Sequence, residues 1–220
     1  MSGITPRIVP YNLGKCMTKN ELEEIKKEFQ NIVSEKISRD GITELMAYLE
    51  RSDFYQAPAS KFGHSDYEGG LVSHSLNVYK RLRKYIETEY GNFDKFSEES
   101  IALVSLFHDL CKVDYYKIEM RNVKENGEWV QKPFYKIEDR LPYGHGEKSV
   151  YIINGFLRLT REEALAINWH MGGFDARVTG GNSLAMSETY KHNALAFWLH
   201  LADMTATYID ENSLNQDKEN

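Results

Sequence analysis

Apolar positions recur at helical spacing along most of this chain. Leu22, Ile25, Phe29, Ile32 and Val33 share one face of a segment opened by Thr18-Lys-Asn-Glu21, a capping-box sequence, and predict a helix through about Lys36. A second helix is predicted from Ile42 to about Arg51. A polar, glycine-bearing loop follows over 55–70, carrying Pro58-Ala59-Ser60 and His64. Leu71, Leu76, Val78, Leu82 and Ile86 resume the pattern in a third helix, about 71–89, which holds His74. The run IALVSLFHDLC is apolar nearly all round, so a helix from about Glu98 to Cys111 should lie at the centre of the molecule.

The helical period then lapses. Asn126-Gly127 accepts the positive φ that a tight hairpin turn needs, and its flanks are rich in aromatic and β-branched residues, predicting a β-arm with strands at about 114–124 and 128–138. Gly144-His145 opens a further helix to about Leu159, and Thr160-Arg-Glu-Glu163 caps another that ends near His170. A glycine-rich loop, 172–183, leads to a last helix from about Ser187 to Ile209 that carries Asp203. The first fifteen or so residues read as irregular and the polar tail 212–220 as disordered. With no repeat and no internal linker, the pattern predicts one mainly α domain over 1–211, a helical bundle with an N-terminal helical extension and a β-hairpin arm at about 114–138.

Composition narrows the setting. A chain of 220 residues with 41% hydrophobic and 27% charged residues can bury a sizeable core. No apolar run approaches the roughly 18 residues of a membrane span, and MSGITPRIVPYNLGKC lacks the apolar region of a signal peptide. Two cysteines, Cys16 and Cys111, make no disulfide framework, and a reducing cytoplasm is the expected location. A net charge of −6 argues against a sequence-independent grip on long nucleic acid, while leaving small phosphate esters open, because bound metal supplies positive charge locally.

The chemistry concentrates in histidines and aspartates. His108 and Asp109 are adjacent, and His74, His145, His170 and Asp203 fall one to each of four other predicted helices. Helix neighbours point about 100° apart, so His108 and Asp109 can chelate only from the edge between them, and the remaining ligands must converge on it from other elements. Asp203 lies in AFWLHLADMTA and Asp109 follows SLFH, settings in which an uncompensated carboxylate is costly. A single buried histidine is commonly a hydrogen-bonded core residue. Six such residues together are better explained as ligands of two divalent ions. His200 reads equally as a supporting partner of Asp203 or a packing residue, His192 as a surface residue, and Cys111 as a small hydrophobe.

The order His74, His108-Asp109, His145, His170, Asp203 resembles the two-metal branch of the HD-domain superfamily of metal-dependent phosphohydrolases. GGLVSHSLNVY resembles the segment around the first family histidine, FHDLCKVD the His-Asp motif, and APASKFGHSDYEGG the corresponding loop of bacterial HD-type 3′-to-5′ exoribonucleases and of related phage and plasmid HD proteins. The similarity spans roughly 55–205. Cys111 stands where the family usually has glycine. The OB-fold of those exoribonucleases has no counterpart here, which argues against a processive ribonuclease, and Met171 after His170 departs from the paired histidines of cyclic-di-GMP phosphodiesterases.

The resemblance implies that His74, His108, Asp109 and Asp203 hold one ion, with Asp109 bridging to a second held by His145 and His170. Two such ions, drawn from Mn²⁺, Fe²⁺, Co²⁺, Ni²⁺ or Mg²⁺, share a hydroxide and aim it at phosphorus. Asp109 and Lys112 would be the catalytic residues, with Lys112 near the substrate phosphate; its other reading is a solvated lysine at a helix end. His64, Tyr115, Trp129 and Tyr135 are candidate substrate contacts, the aromatics stacking on a base or instead covering a core flank. Lys80, Arg81, Arg83 and Lys84 read as a phosphate-facing cluster or a solvated face. The expected substrate is a nucleotide or short oligonucleotide, whether as phosphodiester or phosphomonoester, with no membrane partner and room for a homodimer. The competing readings are an HD-fold diiron oxygenase and a metal-stabilised regulatory or binding module.

Overall fold

A computed structural model describes residues 17–61 and 64–211; the N-terminal segment, Cys16 and the tail 212–220 discussed above lie outside these. The described chain is mainly helical, with one two-stranded antiparallel hairpin. The helices are α1 (Lys19–Lys36), α2 (Ile42–Arg51), α3 (Gly70–Tyr90), α4 (Glu98–Phe107), α5 (His145–Asn154), α6 (Arg161–Asn168), α7 (Ala176–Thr179), α8 (Ser183–His192) and α9 (Ala194–Thr205). The strands are β1 (Tyr116–Glu125) and β2 (Glu128–Ile137). None of the described helices is long and apolar enough to cross a membrane.

Local chemistry sets several boundaries. Thr18 and Thr160 each accept through the side chain from the backbone N–H of a glutamate three residues on, and that glutamate's carboxylate accepts from the threonine's own backbone N–H, closing capping boxes on α1 and α6. Asn126 and Gly127 turn the hairpin with φ of 48° and 92°, the double positive φ of a type I′ turn, which sets Tyr116 opposite Ile137 and Lys124 opposite Trp129.

Other boundaries depart from expectation. α4 stops at Phe107, and Asp109 leaves helical geometry at φ −105°, ψ 22° before a 3₁₀ turn over Leu110–Lys112. α5 ends at Asn154 rather than near Leu159, because Asn154 Oδ1 accepts from the Leu159 amide and Gly155 turns the chain. The glycine-rich loop contains a 3₁₀ turn, Gly172–Phe174, and the short α7. The single last helix is two, α8 and α9, broken at Asn193, whose side chain caps α9 through the Ala196 amide and donates to the Glu162 carbonyl. A π-type turn, Ala206–Asp210, follows α9.

The core forms where α3 meets α4 and α9, and α6 meets α9. Phe29, Phe54 and Phe107 are buried there, with ring centroids 5.1 Å (Phe29–Phe54) and 5.8 Å (Phe29–Phe107) apart. Arg39, in the α1–α2 connection, forks onto buried Glu163 at 2.6 and 3.0 Å and reaches Glu99 at 3.1 Å. Ser100 Oγ also donates to Glu163, at 2.7 Å. This network ties the starts of α4 and α6 together, and the far ends of both lead to His108-Asp109 and His170.

Candidate metal centre

Asp109 is the hub. Its Oδ1 lies 2.8 Å from His145 Nε2 and 3.5 Å from His170 Nε2, and its Oδ2 lies 3.5 Å from His108 Nε2 and 3.7 Å from His74 Nε2. Asp203 Oδ1 is 3.2 Å from His74 Nε2. The six residues read from the sequence thus come together, from α3, the end of α4, the start of α5, the chain just past α6, and α9. Lys112 joins them, donating from Nζ to Asp109 Oδ2 at 2.6 Å.

The imidazoles are oriented from behind. His108 Nδ1 donates to the Ser105 carbonyl at 2.8 Å and His170 Nδ1 to the Ile167 carbonyl at 2.6 Å, which leaves each Nε2 as an acceptor when the ring is neutral, that of His108 facing His74 Nε2 at 3.3 Å as well as Asp109, and that of His170 facing Asp109. His170 Nε2 is fully buried and has no hydrogen-bond partner among the described residues. His74 Nδ1 faces the carboxylate of Glu211, at 2.9 Å. Donor atoms within 4.8 Å of one another form the sets His74/His108/Asp203, His108/Asp109/His170, Asp109/Cys111/His145 and His64/His74/Glu211. His74, His108 and Asp109 each belong to two of these, so the four sets form a continuous chain.

The electrostatics describe a site short of positive charge. Burial works against ionisation of Asp109, yet Lys112 and His108 hold its carboxyl well below the usual range. Burial likewise opposes the charge on Asp203 and Glu211, but His74 outweighs it, depressing Asp203 strongly and Glu211 to about 2. Burial disfavours a proton on His74, yet Glu211 and Asp203 raise its pKa to about 10. In His170 burial is overcome by Asp109, which raises the imidazole, whereas burial lowers His145 and takes His108 down to about 4. Protons on imidazole thus balance carboxylates that a divalent cation would balance better. Imidazole nitrogens around buried carboxylates, with a His170 Nε2 that has no hydrogen-bond partner among the described residues, make a donor set that fits divalent cations.

No protein-family model, no curated protein and no solved structure matches this chain. Its reading therefore stands on the residues themselves.

The remaining candidates divide. His64 lies beside His74, with ring centroids 5.6 Å apart, and burial lowers its pKa to about 4. Tyr115 packs edge-on to Tyr116 at 5.0 Å, and Tyr116 reaches Tyr135 at 5.9 Å, so an aromatic wall begins beside Lys112. Burial raises the Tyr116 hydroxyl to about 12, against the pull of Lys112. Trp129 is elsewhere: it sits next to the hairpin turn, 71% exposed and about 20 Å along the strand from Tyr135 at some 3.3 Å per residue. Of the basic cluster, Lys80 pairs with Glu28, Arg81 with Asp210, and Arg83 with Glu98, so these side chains serve the surface. His192 is exposed and pairs with Glu188. His200 Nδ1 donates to the His170 carbonyl at 2.7 Å and so supports that residue rather than Asp203.

Sequence reasoning missed two residues. Glu211 accepts from Ser65 Oγ and Asn77 Nδ2 as well as facing His74. It lies in a polar stretch after the last expected helix, where no local pattern sets it apart. Cys111, read as packing, has its Sγ 3.4 Å from His145 Nε2. On a continuous helix it would point about 200° away from Asp109; the break after Phe107 turns it back toward the site.

Proposed function

We propose that this chain is an HD-type metal-dependent phosphohydrolase that cleaves phosphate esters of nucleotides or short oligonucleotides. The observation that carries the reading is the convergence of His74, His108, His145 and His170 on the buried carboxylate of Asp109, with Asp203 against His74 and with His170 Nε2 lacking a hydrogen-bond partner among the described residues. His74, His108, Asp109 and Asp203 would hold one divalent ion, and Asp109, His145 and His170 a second. Such a pair supplies Lewis acidity and a water acidic enough to ionise at neutral pH.

The chain's own groups supply the rest. Carbonyls of Ser105 and Ile167 fix the ring orientation of His108 and His170, so no reorganisation is needed when charge develops. Lys112 is kept protonated by Asp109 against the effect of burial, and its ammonium, 2.6 Å from Asp109 Oδ2, would meet the phosphoryl group of a bound substrate. Tyr115, Tyr116 and Tyr135, in ring contact with one another, would be the residues to stack on a base. The acidic net charge and the paired surface cations favour a small substrate over long nucleic acid.

The test combines elemental analysis of the purified protein with hydrolysis of bis-p-nitrophenyl phosphate and a nucleotide panel in Mn²⁺, for wild type and Asp109→Ala. About two metals per chain and metal-dependent hydrolysis, both lost in the variant, are expected. Metal-free protein, or bound iron with oxygen consumption and no hydrolysis, would overturn the proposal.

A further inference from the structure

We propose that Cys111 is a thiolate ligand of the ion held by Asp109, His145 and His170, making that position a mixed sulfur, nitrogen and oxygen site. The inference rests on the two-metal reading above. Cys111 Sγ lies 3.4 Å from His145 Nε2 and 3.9 Å from Asp109 Oδ1, and the donors of these three residues all lie within 4.8 Å of one another. Tetrahedral coordination with metal–sulfur bonds of about 2.3 Å and metal–nitrogen bonds of about 2.0–2.1 Å sets sulfur and nitrogen about 3.5 Å apart along an edge. The separation from Nε2 matches that edge in length, but Sγ lies as near Nδ1, at 3.5 Å, so the His145 ring must turn as well as part from Asp109 to share an ion with the sulfur.

His170 supplies an independent indication. Its Nδ1 is committed to the Ile167 carbonyl, and its fully buried Nε2 has no hydrogen-bond partner among the described residues while lying 3.5 Å from the same Asp109 Oδ1. Cys111, His145 and Asp109 make one donor set, and His170, grouped with Asp109 and His108, adjoins it through Asp109. Coordination needs no oxidant: the ion forms a bond to sulfur and the thiol proton leaves to solvent. Sulfur selects Zn²⁺, Fe²⁺ or Co²⁺ over Mg²⁺ or Mn²⁺. The position formed by His74, His108 and Asp203 has no sulfur donor among the described residues, so the two ions would differ in kind.

Cobalt tests this without reference to activity. The full-length chain and its Cys16→Ser and Cys111→Ser variants are loaded with Co²⁺, freed of excess metal, and compared by bound cobalt and near-ultraviolet absorption. An intense sulfur-to-cobalt charge-transfer band is expected in wild type and Cys16→Ser, and its loss in Cys111→Ser. X-ray absorption of the loaded wild type should show sulfur at about 2.3 Å, which decides the matter even if Cys111→Ser fails to fold. Bound cobalt with only nitrogen and oxygen neighbours would overturn the Cys111 assignment and leave the two-metal reading standing. A band that follows Cys16 would overturn it equally. No retained cobalt would overturn both.

Discussion

Replacing Arg39 with methionine should cost the fold about 2–4 kcal/mol, starting from the roughly 3–5 kcal/mol for breaking a buried pair and discounting for solvent at the arginine. Glu163 is 1% exposed and Arg39 19%, so the carboxylate has nowhere to turn when its partner goes. It would keep Ser100 Oγ at 2.7 Å and the Thr160 amide at 2.8 Å, neither of which carries charge. For a chain of this size the loss corresponds to a drop of roughly 5–15 °C in Tm. Circular dichroism melts and urea titrations of Arg39→Met, Glu163→Gln and the double variant would measure it. The double variant leaves no uncompensated charge and should recover at least half of the Arg39→Met loss. Burial opposes the charge on Glu163, but Arg39 more than offsets this and holds the carboxyl below its ordinary value. Its contribution is therefore complete above the unfolded pKa of about 4.3 and is lost as pH falls through the folded value, so wild type and Arg39→Met should converge in acid. A difference below about 0.5 kcal/mol at neutral pH, or a double variant no better than Arg39→Met, would refute the argument.

The site yields further expectations. Glu211→Gln keeps the shape beside His74 but removes the charge that raises its basicity, so divalent-metal affinity should fall about 10–100-fold, read by calorimetric or chelator competition; an unchanged affinity would remove Glu211 from the site. With the His74 pKa raised to about 10, binding must displace its proton at neutral pH, so affinity should climb from pH 7 to 9 with proton release. Enthalpies that do not vary with the buffer's ionisation heat would contradict that. Tyr135→Ala should raise the KM for nucleotides about 5- to 150-fold, the worth of one stacked base, without changing metal content. Trp129→Ala should change neither, and a comparable KM effect there would put the substrate further out on the arm.

What could be read from the sequence was what local chemistry decides. The capping boxes at Thr18 and Thr160 and the Asn126-Gly127 turn involve residues within three positions of one another, and each appears in the fold. The end of α4 and the break at Asn193 were not legible, because Asn193 takes a partner, the Glu162 carbonyl, 31 residues away. Asp109 and Asp203 stood out as carboxylates inside apolar runs, and the four histidines by falling one to a helix in order around them. Glu211 gave no such signal in its polar surroundings, and the direction of Cys111 depended on a helix break that periodicity alone does not place.

His74 and Glu211 are 137 residues apart, and this separation bears on how the molecule is made. A chain emerging in order presents His74, His108, Asp109, His145 and His170 before α9 exists, so early in synthesis there are imidazoles enough to catch a cation but neither Asp203 nor Glu211 to fix where it sits. An ion that arrives then meets a loose collection of donors on an unfinished chain, whereas one that arrives later meets a closed cage. Refolding with metal present from the start should therefore give a more heterogeneous product than refolding first and adding metal afterwards. Timing of metal supply, as much as its identity, would decide how much of the protein matures.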